Sequence, residues 1–137
     1  MTPKAFSLEE ANMLVPALTL IFDRISPIRV KVALIKEALA YSTESKPDAQ
    51  DSPEKLMERM SLLTTEMRKL VEEAQSYGCF VKDLENYLVD FYTVVDNKPI
   101  FLCWRYGEDS VKYWHDTENG YRGRQPLSII SQEVRRF

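Results

Sequence analysis

Histidine and cysteine are scarce in this chain: His115 is the sole histidine, and Cys79 and Cys103 are the only cysteines. Two thiols in a chain whose Met1 leads into no signal-peptide pattern read as reduced, and a cytoplasmic location is expected. A zinc site takes three or four ligands, and two Cys and one His at unrelated spacings do not make one, so neither metal nor cofactor is expected. No apolar run approaches the length of a membrane span. Charge of one sign is missing too: 18 basic against 21 acidic side chains leave −3. A duplex-binding protein normally carries a basic face, so nucleic acid is not an expected partner. The chain has no nucleophile elbow, phosphate-binding loop, dinucleotide glycine run, metalloprotease helix or paired-cysteine haem motif. These absences lean against an enzyme.

What is present is a foldable amount of apolar side chain, 45% of 137 residues, enough for one domain spanning 1–137. Ser7-Leu8-Glu9-Glu10 is a capping box and predicts a helix start. Ala11, Leu14, Leu18, Ile21, Ile25, Ile28, Val32, Ile35 and Leu39 follow at alternating steps of three and four, a heptad seam. Pro16 and Pro27 each remove a backbone donor inside it, so kinks are expected, with a break at Ser26-Pro27 as the alternative. Residues 42–53 are polar and hold two prolines, a connector. Ser52 as N-cap and Pro53 at the first helical position restart a helix. Its seam is Leu56, Met60, Leu63, Met67, Leu70, Ala74 and Tyr77, and Gly78 stops it. Two seams joined by a connector predict a long, kinked antiparallel helical hairpin over 7–78. The stripes are core in the first instance. One hairpin has more apolar surface than it can bury, so a homodimer or a protein partner is expected on the remainder.

After Gly78 the period changes. "YLVDFYTVV", the turn Asp96-Asn97, "PIFLCWRY", the turn Gly107-Glu108-Asp109 and "SVKYWH" read as a three-stranded antiparallel meander within 79–137, making the fold α+β. Residues 6–16 should neighbour this sheet, because the second helix returns the chain to the start of the first. A tight hairpin across Gly107–Ser110 would set Tyr106 opposite Val111, Trp104 opposite Tyr113 and Leu102 opposite His115. Leu102, Trp104, Tyr113 and His115 would then share one face, with Cys103, Arg105, Lys112 and Trp114 on the other; a slip of one residue exchanges the groups. "SIISQEVRRF" reads as a short last strand or helix.

Two stretches carry a resemblance. "FSLEEANMLVPAL" (6–18) and "LVDFYTVVDNKPIFLCWRYGEDSVKYWHDTENGYRGRQPL" (88–127) resemble an uncharacterised bacterial family, domain of unknown function 2203. Its motifs fall on Phe6-Ser7, Glu10-Ala11-Asn12, Pro16, Asp90-Phe91, Leu102-Cys103-Trp104, Gly107-Glu108, Trp114-His115, Gly120-Tyr121 and Gly123-Arg124. One departure is Tyr87, where the family often has Gly, so the bend before the first strand is open. The resemblance implies a similar fold in an intracellular bacterial protein and carries no activity, substrate or cofactor.

Candidate site residues are His115, Asp90, Arg124, Glu10, Asn12 and Trp104. A functional reading gathers them in a cleft where helix meets sheet. There a carboxylate–imidazole pair can exchange protons, and Arg124 can grip a carboxylate or phosphate. A structural reading uses the same residues: Asp90 with Arg124 as a buried salt bridge, His115 against a backbone carbonyl, Glu10 in its cap, Trp104 as wall. Cys103 is expected as a small core residue. Arg122, Arg124, Arg135 and Arg136 against Glu133 make a locally basic tail, which reads as balancing the acidic helices. The leading expectation is a non-enzymatic interaction or regulatory module that self-associates through its helices. The alternative is a small-molecule binding protein or enzyme using His115, Asp90 and Arg124.

Overall fold

The computed structural model of the chain describes residues 3–45, 52–118 and 123–127. The Ser7 hydroxyl accepts from Glu10 N–H while Glu10 Oε1 accepts from Ser7 N–H, both at 2.9 Å. From this reciprocal cap α1 runs over Leu8–Ser45 without interruption at Pro16 or Pro27, so the alternative break at Ser26-Pro27 does not occur. It also enters the stretch read as connector; residues 46–51 lie outside the described residues. Helix α2 spans Pro53–Gln75, with Lys55 N–H bonded to Ser52 Oγ at 3.2 Å, the N-cap that the Ser-Pro pair predicts. At its end Gly78 takes φ +101°, and a β-carbon there would come within 2.9 Å of Lys4 Cδ. The positive φ is what favours glycine here, and a side chain would also have to displace Lys4.

The sheet has five strands, not three: β1 Phe80–Asp83, β2 Leu88–Val95, β3 Lys98–Arg105, β4 Tyr113–Asp116 and β5 Gln125–Pro126, antiparallel in that order. The expected meander is β2–β3–β4. Strand β1 is short and leads into an Asx turn, Asp83 Oδ1 accepting from Glu85 N–H at 2.8 Å, so its apolar signal is brief. Asp96 and Asn97 both have positive φ, 51° and 62°, a two-residue turn that closes β2 on β3. Tyr87, at the bend the sequence leaves open, sits at φ 55°. Its ring packs edge-on to Phe22 and Tyr106, which offsets the strain.

The β3–β4 register corrects the expected one by a single residue. Phe101 pairs with His115, Leu102 with Trp114 and Cys103 with Tyr113. The cause is the connection. No tight hairpin forms at 107–110; residues 106–112 make a longer excursion. Asn12 Oδ1 on α1 accepts from Val111 N–H at 2.7 Å, and Trp104 Nε1 donates to Glu108 O at 2.9 Å.

Two units divide the chain: Met1–Phe22 with Glu73–Phe137, and Asp23–Glu72. The division falls inside both helices rather than at Gly78. In the first unit one sheet face, Val89, Phe91, Leu102 and Trp104, is fully buried. It meets the start of the chain: Phe6 lies edge-on to Phe91 at 5.2 Å and Phe22 edge-on to Trp104 at 6.0 Å. Phe6 N–H also bonds Tyr92 O at 2.8 Å, so the expected proximity of 6–16 to the sheet is present. In the second unit Ile25, Ile28, Val32, Ile35, Leu56 and Leu70 are buried, all from the two seams.

Candidate functional site: a buried Asp-Cys-His cluster

The other sheet face carries the chemistry. Alternation along β2 points Asp90 to this face, and its cross-strand partner Cys103 on β3 pairs in turn with Tyr113 on β4, two residues before His115. Three adjacent strands thereby converge Asp90, Cys103 and His115. They are 3%, 0% and 4% exposed, and one ligand-capable atom from each lies within 4.8 Å of the others.

His115 is held from both sides. Nδ1 lies 2.7 Å from the backbone carbonyl of Asp116, and Nε2 lies 3.0 Å from Asp90 Oδ1. A carbonyl oxygen only accepts, so Nδ1 carries a proton; Nε2 faces a carboxylate, so it donates as well. The ring is an imidazolium paired with a buried carboxylate. Burial alone would push its pKa down. The Asp90 bond, the neighbouring Cys103, the Asp116 carbonyl and the Asp90 charge outweigh that and lift it to about 10. The Phe101 ring at 5.5 Å walls the imidazole. Cys79, the second thiol, is elsewhere: it donates to Ala74 O at 3.2 Å, and burial pushes it up to about 11.

Arg124 does not reach Asp90. Its guanidinium pairs with Glu108, whose Oε1 also accepts from Arg105 N–H at 2.6 Å, and it bonds Cys103 O at 3.4 Å. It stacks over the Tyr113 ring at 4.0 Å. The expected Asp90–Arg124 bridge is therefore replaced by two pairs, Asp90–His115 and Glu108–Arg124. The longer excursion at 106–112 lets Glu108 turn back to where Arg124 arrives. Glu10 serves the cap of α1, whose Ser7 bonds, through the backbone N–H first, hold its carboxyl below the usual range. Asn12 serves Val111, and Trp104 lies on the opposite face from His115. The structure thus joins Asp90 to His115 and leaves Glu10, Asn12, Trp104 and Arg124 on other tasks. A shallow groove of about 520 Å³ between Val15, Pro16, Thr19 and Leu20 of α1 and Gly107–Asp109 touches none of the three clustered side chains. Gly120, Tyr121, Arg122, Arg135, Arg136 and the last segment, "SIISQEVRRF" from Ser128 on, lie outside the described residues.

Sequence reasoning missed Cys103 as a neighbour of His115 and Glu108 as the partner of Arg124. The signal for Cys103 was the alternative register, in which every side chain changes face; Glu108 sits in the 106–112 connection, which no strand register marks.

No helix among the described residues is long and apolar enough to cross a membrane. Comparison with curated proteins and with solved structures finds no match. Residues 4–127 match one family, described as Uncharacterized conserved protein (DUF2203), and the motifs of both ends of the chain lie within that span. The chain belongs to that family of uncharacterised conserved proteins.

Proposed function

We propose that this protein acts by binding rather than by catalysis, as an interaction or regulatory module whose helical segments pack as an antiparallel hairpin and pair with a second copy. The observation that carries the reading is the saturation of His115: both ring nitrogens are spent on Asp116 O and Asp90 Oδ1 in a buried cluster. A general base needs a free nitrogen, and both nitrogens of this imidazolium are already hydrogen-bonded. The other acid–base candidates are equally committed, Glu10 to its cap and Glu108 to Arg124. The alternative, a small-molecule or enzyme site, asks Asp90 and Arg124 to share one ligand, whereas they serve different partners.

The helices supply the binding surface. In the second unit Val30, Leu34 and Tyr41 of α1 and Met57 and Leu62 of α2 stand exposed, Leu62 at 68%, while Ile25, Ile28, Val32, Ile35, Leu56 and Leu70 of the seams are buried. Covering one such side chain fully is worth about 1.5–3 kcal/mol, so several together sustain a dimer. Sedimentation equilibrium tests this. A dimer is expected at micromolar concentration, and Leu34→Glu with Leu62→Glu should return it to a 16.0 kDa monomer. A wild-type chain that stays monomeric to millimolar concentration would remove the reading.

A further inference from the structure

We propose that Asp90, Cys103 and His115 form a binding site for a thiophilic divalent cation of the zinc class. The donor set is one carboxylate, one thiol and one imidazole, the three ligand types such ions take from proteins. The ligand atoms lie within 4.8 Å of one another. Tetrahedral bonds of about 2.0–2.3 Å place ligands roughly 3.3–3.6 Å apart. Small side-chain rotations on rigid strands therefore close the longest edge and slightly open the 3.0 Å Nε2–Oδ1 pair.

A second, independent feature is the aim of the imidazole. Its Nδ1–H is fixed on the Asp116 carbonyl at 2.7 Å, which turns Nε2 into the cluster. A ligating histidine characteristically donates its other ring N–H to a carbonyl or carboxylate in this way. Charge is the third argument. Carboxylate, imidazolium and thiol together are neutral. A divalent ion displaces the Nε2 proton and the thiol proton to solvent, leaving carboxylate, neutral imidazole, thiolate and M²⁺, which are again neutral. These three side chains carry no net charge in either state, so the exchange avoids the penalty of an uncompensated buried ion. A monovalent or trivalent ion breaks that balance. Three protein ligands leave one tetrahedral position for water or an added donor. A histidine–aspartate pair needs no third partner, and Cys103, wholly buried beside it, supplies the thiolate that selects this class of metal.

The test uses the full-length chain, stripped with chelator and titrated with Co²⁺. One equivalent should produce a thiolate-to-cobalt charge-transfer band and the intense visible bands of a four-coordinate ion, and one equivalent of Zn²⁺ should bleach both. Cys103→Ser should lose the charge-transfer band, Cys79→Ser should keep it, and His115→Gln should weaken binding at least about 100-fold, beyond what an outer partner costs. Absence of the band in folded wild-type protein, its survival in Cys103→Ser, or its loss in Cys79→Ser would overturn the site. The wild-type titration decides even if a variant fails to fold. It is also independent of oligomeric state, so failure of the dimer and failure of the metal site are distinguishable.

Discussion

The two faces of the β-sheet are made by the same strands and obey different rules. The face of Val89, Phe91, Leu102 and Trp104 meets Phe6 and Phe22 and is held chiefly by apolar contact, with one side-chain hydrogen bond from Trp104 to Glu108 O. On the other face Asp90, Cys103 and His115 are as deeply buried, yet they are polar or ionised, and Asp90 and His115 depend on each other. Apolar contact tolerates sliding and repacking. A buried ion pair does not, because a lost partner leaves a charge in low dielectric. The lesson is that one face stores stability while the other stores specificity of register.

The comparison breaks first at Trp104. Trp104→Ala leaves a large void on the apolar face and should cost about 4 kcal/mol by denaturant unfolding, independent of pH. On the polar face Asp90→Asn leaves the imidazolium unpaired and should cost about 3 kcal/mol, and Asp90→Asn with His115→Gln should cost less than the two alone. The polar face should also be pH-sensitive. His115 titrates at about 10 when folded against 6.5 in a solvated chain. A raised pKa means stability that is fully present below 6.5 and is lost as pH climbs toward 10. In chelator-treated protein the melting temperature should fall across that window, and His115→Gln should flatten the fall. A flat wild-type profile would mean that the two faces do not differ in kind.

Smaller effects sharpen the contrast. The Glu108–Arg124 pair is partly exposed, so Arg124→Ala should cost about 1.5 kcal/mol. In double-mutant cycles it should couple to Glu108→Gln and add independently to Asp90→Asn. Coupling to Asp90 instead would contradict the two-pair arrangement. The smallest expected effect is at Tyr87. Gly at this left-handed position should be more stable than Ala by about 1 kcal/mol, since only Ala keeps a β-carbon at φ 55°, and both lose the ring packing on Phe22. Equal stabilities would place no strain at this bend.

Much of the fold was legible because its cues are local. The Ser7–Glu10 box, the Ser52-Pro53 start, the Gly78 stop and the Asp96-Asn97 turn each act within a few residues, and each appears where its chemistry requires. Most buried positions of α1 and α2 fall on their seams for the same reason, while Val15 and Phe22 are buried off the seam and Leu14, Leu39, Met60, Leu63 and Met67 are only half-buried. The candidate site was only half legible. Asp90 and His115 stand out as titratable residues in strand patterns, but a tight turn puts Cys103 on the opposite face, and no local cue marks Glu108 rather than Asp90 as the partner of Arg124. Both differences trace to the connection between β3 and β4. A tight turn at Gly107–Ser110 is a reasonable local reading, and it loses to Asn12, which captures Val111 N–H from 99 residues away.

The sequence by itself determined where both helices begin, most of the positions they bury, and that strands follow Gly78, since backbone hydrogen bonding and side-chain periodicity are short-range properties; it did not mark the end of α1, which runs to Ser45 inside the expected connector. Only the tertiary structure decided which side chains share a sheet face. That depends on how far the chain wanders between β3 and β4, and the length of that excursion is set by a bond to a distant helix. A period of two turns a one-residue difference into a complete exchange of faces. The meeting of Asp90, Cys103 and His115 is therefore a product of register, which no stretch of the sequence read alone contains.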